Sequence, residues 1–93
     1  MGSLMEHEWF KRKVTVAEAE AANMVKDKRL GWVAVPFGFV HHKWLELLAA
    51  MQPGDELWEF CSSQAAWDAL MGSEGIALVR NGKVIDTVVT RMN

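Results

Sequence analysis

The sequence predicts a single α+β domain: an antiparallel sheet of four or five strands with two or three helices packed on it, closed by a C-terminal β-hairpin. Three observations predict it. Residues 75–90, "GIALVRNGKVIDTVVT", are two β-prone runs joined by Asn81-Gly82, the pair that tolerates the positive φ angles of a type I′ turn. Val40, Trp44, Leu47, Leu48 and Met51 recur with the period of one helix face. The length, 93 residues at 51% hydrophobic and 24% charged, suffices for one core and leaves no room for a second domain.

Taken in order, Met1-Gly2-Ser3-Leu4 reads as a cloning scar ahead of a natural start at Met5, so that residues 5–93 form the domain. Residues 6–13, "EHEWFKRK", alternate loosely and carry Trp9 and Phe10, which predicts a short edge strand whose Lys11-Arg12-Lys13 triplet suits an exposed edge. Thr15 with Glu18 is a capping-box pair and starts a helix over residues 16–29. Its stripe is Ala17, Ala21, Met24, Val25 and Lys28, and Gly31 stands past Lys28 and Arg29 as a left-handed cap. Residues 32–36, "WVAVP", are a brief strand or an extended connector stopped by Pro36. The helix from Val40 ends at Pro53-Gly54, and residues 55–61, "DELWEFC", read as a strand with Trp58 and Phe60 on one face and Leu57 and Cys61 on the other. Ser62 or Ser63 caps a short helix carrying Ala66, Trp67 and Leu70, which Gly72 terminates. In the final hairpin the turn pairs Arg80 with Lys83, Val79 with Val84, Leu78 with Ile85 and Ala77 with Asp86. One face then carries Ile76, Leu78, Ile85, Thr87 and Val89, the other Ala77, Val79, Val84, Asp86 and Val88.

Both faces of the hairpin are apolar. A two-layer domain covers one of them, so the second must meet another helix, a ligand or another subunit. The net charge of -2 argues against nucleic acid, whose affinity rests on many Lys and Arg contacts to phosphate. No apolar stretch has the length of a membrane span, and a lone cysteine suits a reducing, cytoplasmic setting. The three histidines and the cysteine lack the spacing of a zinc site, so no metal and no cofactor is expected.

Residues 53–93, through "GDELWEF", a tryptophan in the short helix, "GIALVRNGKV" and the terminal "MN", resemble the C-terminal part of small uncharacterised bacterial proteins that include products of integron gene cassettes. The resemblance implies bacterial origin and carries no catalytic residue across.

Five residues stand out as candidates for a pocket or an interface. Cys61 precedes a helix start, where the dipole favours a nucleophilic thiolate, but the glycines of a sharp nucleophile turn are missing, and a small buried hydrophobe is the preferred reading. His41 flanks the apolar stripe and reads as a boundary residue that could act as an acid or base at a cleft edge, whereas His42 lies on the polar side. Asp86, mid-strand among Ala77, Val79, Val84 and Val88, needs water, a partner, an interface or a catalytic role. Trp9 and Trp32 mark a binding surface if exposed, whereas Trp44, Trp58 and Trp67 read as core. The leading expectation is a non-enzymatic binding or protein-interaction module that dimerises through an apolar sheet face. The alternative is a small enzyme or ligand-binding protein with a pocket between the sheet and helix 40–52, and a small-molecule or protein ligand fits either reading.

Overall fold

The computed structural model describes residues 7–93 and bears out the α+β class. The proposed scar at residues 1–4, the start at Met5 and residue 6 of the first predicted strand lie outside the described residues. Strands β1 (Phe10–Val14), β4 (Glu56–Cys61), β5 (Ser73–Arg80) and β6 (Lys83–Met92) form an antiparallel sheet in the order β1-β4-β5-β6, with β1 an edge as predicted. Two further strands, β2 (Met24–Val25) and β3 (Val35–Pro36), make a separate pair. The helices are α1 (Val16–Ala22), α2 (His41–Ala50) and α3 (Gln64–Asp68).

The core lies between one sheet face and the helices. Ala19 of α1, Trp44 and Leu47 of α2, and Val14, Leu57, Ile76, Leu78 and Val88 of the sheet are buried together with Phe37. Each removes apolar surface from water at about 25 cal/mol per Å2, which makes this layer the main source of stability. The Trp44 indole N–H donates to Glu20 Oε2 at 2.8 Å, joining α2 to α1, and the Phe37 ring sits 4.4 Å from Trp44.

Two elements depart from expectation. The first helix stops at Ala22 rather than residue 29, because Asn23 donates its side-chain amide to the Ala19 carbonyl and accepts from Phe37 N–H with its own carbonyl. Met24 and Val25 are thereby committed to β2, Ala17 and Ala21 face solvent, and Gly31 caps a 3-10 turn over Lys28–Leu30 at φ 77° instead of the α-helix. Of residues 32–36, expected as a brief strand or an extended connector stopped by Pro36, only Val35–Pro36 form a strand, which includes that proline.

The hairpin differs in register. The turn residues Asn81 (φ 52°) and Gly82 (φ 77°) and the pairs Arg80 with Lys83 and Val79 with Val84 are as predicted. A bulge then inserts Ile85 as an extra residue, so Leu78 pairs with Asp86 rather than Ile85, and Ala77 with Thr87 rather than Asp86. Because side chains alternate along a strand, one inserted residue exchanges the two faces beyond it. Val88 joins the helix-side core, Val89 turns to the opposite face, and Ile85 is left exposed. In α3 the cap is Ser63, whose Oγ accepts from Ala66 N–H; Ser62 is buried and bonded to the Ser73 backbone. Leu70 at φ 60°, not Gly72, takes the left-handed turn after this helix, while Gly72 lies flat against the Trp67 ring.

Candidate functional site

The second sheet face is built from the residues that the sequence places opposite the core. Phe60, Ala77 and Val79 are its buried centre, with Trp9, Phe10, Trp58, Val84 and Val89 packed around them. No residue of α1, α2 or α3 belongs to this cluster. Strand alternation supplies it: Phe60 pairs with Phe10 and Gly75, and Trp58 with Lys13 and Ala77, so two large aromatics on β4 overhang small residues on β5. Phe10 and Trp58 stack with ring centroids 5.8 Å apart. A hollow of about 280 Å3 opens among Phe10, Glu56, Trp58, Val79 and Gly82.

Its polar rim is already organised. Glu56 Oε1 accepts from the Trp58 indole N–H at 3.0 Å and Glu56 Oε2 lies 3.1 Å from Lys13 Nζ. These donors, Trp58 first, hold the Glu56 carboxyl below the usual carboxylate range against a small opposing effect of burial. Both carboxylate oxygens are occupied, so the apolar face carries no unpaired Glu56 charge at this margin. Trp9 is half-buried on this face, and Trp58, read from sequence as core, is half-buried at its margin.

On the helix side, Trp44 and Leu47 fill the space between α2 and the sheet. The hollows lie to one side instead. One of about 300 Å3 is lined by Lys11, Glu59, Cys61, Glu74, Ile76 and Thr90 among others. Another of about 280 Å3, lined by Met24, Val25, Phe37 and Val40, adjoins it through the shared residues Ala22, Asn23 and Thr90. Cys61 is half-buried at the end of β4 opposite Glu74, two residues ahead of the Ser63 cap, and so forms part of the hollow wall rather than the mouth of α3. His41 lies elsewhere: its Nδ1 sits 2.8 Å from the Pro36 carbonyl, which can only accept, so the ring donates there and braces β3 against the start of α2.

Asp86 pairs with Leu78 on the helix-side face of edge strand β6, and this corrects its predicted place among Ala77, Val79 and Val84. It is half-buried, and its Oδ1 accepts from Thr87 N–H at 2.8 Å. Trp32 stands 62% exposed in the loop before β3. The structure therefore brings Trp9 to the second face and leaves Cys61, His41, Asp86 and Trp32 apart from it. The parts of that face not anticipated are Phe10, Lys13 and Glu56. The alternation of β1 against β4 carried their signal, but it is interrupted by a register shift between Phe10 and Arg12.

Among the described residues, no cluster of three or more His, Cys, Asp or Glu is placed to hold a metal ion, and no helix is long and apolar enough to cross a membrane. Comparison with family models, curated proteins and solved structures finds no match to this chain.

Proposed function

We propose that the protein is a small non-enzymatic interaction module that works as a homodimer joined through the second sheet face. The observation that carries the reading is the aromatic cluster of Phe10, Trp58 and Phe60, to which no α-helix of the described chain contributes. An antiparallel sheet with helices on one side and an apolar opposite face buries that face against a second layer, and a second copy supplies a matching layer by two-fold symmetry. Two such faces pack about 10 Å apart, so that the half-buried Trp58, Val84 and Val89 around the buried centre of one copy meet those of the other. The reducing, cytoplasmic setting suggested by the lone cysteine belongs to the same reading.

The test is charge insertion. Val84→Lys and Trp58→Arg place a cation on the face without touching the helix-side core, and each should move the protein to the monomer position in size-exclusion chromatography with its circular dichroism unchanged. Elution of both variants with the unmodified protein would contradict the assignment.

A second reading, a ligand-binding protein or enzyme, is favoured by the adjoining hollows of about 300 and 280 Å3 beside Cys61. It requires a bound small molecule, and native mass spectrometry of gently purified protein showing only the bare chain mass counts against it.

A further inference from the structure

We propose that the arm formed by residues 24–40 docks an acidic, amphipathic segment of another protein, independently of the sheet-face dimer. The arm comprises β2, the 3-10 turn Lys28–Leu30, β3 and the 3-10 turn Gly38–Val40. It holds five of the ten most exposed large apolar side chains among the described residues: Met24, Val25, Trp32, Val33 and Phe39. Five in 17 residues is a denser exposure than single scattered surface hydrophobes, and Met24 and Val25 share one hollow with Phe37 and Val40.

The backbone holds Trp32 outward under strain. Trp32 sits at φ 61°, a left-handed conformation costly for a bulky side chain, and is fixed there by its N–H donating to the Asp27 carbonyl at 3.1 Å. Gly31 before it is also left-handed, so two successive residues turn the indole into solvent. Phe37, at φ 62°, buries its own ring against Trp44, while Phe39 two residues later remains 54% exposed beneath the Arg29 guanidinium, 4.7 Å above its ring. Trp32 belongs to neither buried cluster.

Charge names the partner. Residues 24–40 carry Lys26, Lys28 and Arg29 against Asp27, a net +2, in a chain of net -2, so the remaining residues sum to -4. Asp27 is neutralised by a two-point bond from Arg29, at 3.1 and 3.2 Å, whereas Lys26 and Lys28 are exposed with no ion-pair partner among the described residues. A basic apolar patch on an acidic molecule complements acidic side chains interleaved with apolar ones. The adjoining hollow of about 280 Å3, walled by Met24, Val25, Phe37 and Val40, has room for an apolar anchor side chain, which favours a peptide over a flat lipid surface.

Fluorescence anisotropy tests this with a labelled synthetic peptide alternating glutamate with leucine and phenylalanine, and a counterpart carrying lysine for glutamate. The acidic peptide should bind and the lysine peptide should not, with affinity falling as salt is raised. Lys26→Glu with Lys28→Glu should weaken binding about tenfold or more, and so should Trp32→Gly. Trp32→Gly also separates binding from folding, because glycine accepts φ 61° without strain and the variant should melt no lower than the parent. Equal binding of both peptides, or binding indifferent to these variants, overturns the proposal. It is equally overturned if vesicles of phosphatidylserine and phosphatidylcholine bind through Trp32 while the peptide does not, or if the arm variants change the mass in light scattering, which would make the occupant a second copy.

Discussion

Asp55 keeps only 2% of its side-chain surface exposed and is the most enclosed carboxylate among the ion pairs. Arg80 donates from Nε to Oδ1 at 2.9 Å and from Nη2 to Oδ2 at 2.8 Å, and Gln52 N–H adds a third bond at 2.8 Å. These donors, Arg80 first, hold its carboxyl below its ordinary value of 3.8, while burial pulls the other way. The folded protein therefore binds this proton more weakly than the unfolded chain. The resulting stability is complete above the unfolded value and is lost as pH falls through the lower folded one. Thermal melts from neutral pH to about pH 3 should show the melting temperature falling in that acidic range, and Asp55→Asn should start lower and fall less steeply. A variant with the parent's acid slope would show that other carboxylates dominate. In the core, Leu47→Ala should cost about 3 kcal/mol in urea denaturation, whereas Leu45→Ala, two residues away on the other side of α2 and 51% exposed, should cost under about 0.5 kcal/mol. Leu47 was legible because its periodic neighbours lie within its own helix; Asp55 was not, because its partner is 25 residues away along the chain.

Elements show the same divide between local and distant causes. The Thr15 and Glu18 capping box forms as read, with Glu18 N–H to Thr15 Oγ1 at 3.1 Å and Thr15 N–H to Glu18 Oε1 at 2.9 Å, since both partners are three residues apart. The end of that helix depends on Phe37, far outside any local window, and so the stripe through Met24 and Val25 misled. Likewise the Asn81-Gly82 turn was visible and the bulge at Ile85 was not, although the bulge decides which face Asp86, Val88 and Val89 occupy. Beside a second shift between Glu74 and Gly75, β6 runs so close to β5 that a Cβ on Gly75 would collide with the Val88 carbonyl oxygen. Gly75→Ala should therefore destabilise more than Gly82→Ala, where there is open space and only the positive φ is penalised, by roughly 1–2 kcal/mol. Chemical denaturation of the two variants side by side checks the order, and the reverse order would contradict the tight β5–β6 approach.

At the scale of the molecule, the sheet divides the described residues into a helix-covered core and an aromatic face to which none of α1, α2 and α3 contributes. That two apolar faces exist was legible in the hairpin, where apolar residues fall on both alternating sets between Ile76 and Val89. Their membership was not, and Trp9, a candidate for a pocket or interface in no assigned face, packs on the second face with Phe10. The candidate residues Cys61, His41 and Asp86 were singled out by residue type and by their places in the predicted elements, and a strand end, a backbone bond to Pro36 and a shifted register account for them separately. The central claim is that the aromatic face is completed by a second copy. Multi-angle light scattering of the unmodified protein across the micromolar range tests it most directly. The account predicts a mass approaching twice 10.5 kDa as concentration rises, and a mass fixed at 10.5 kDa up to high micromolar concentration would contradict it.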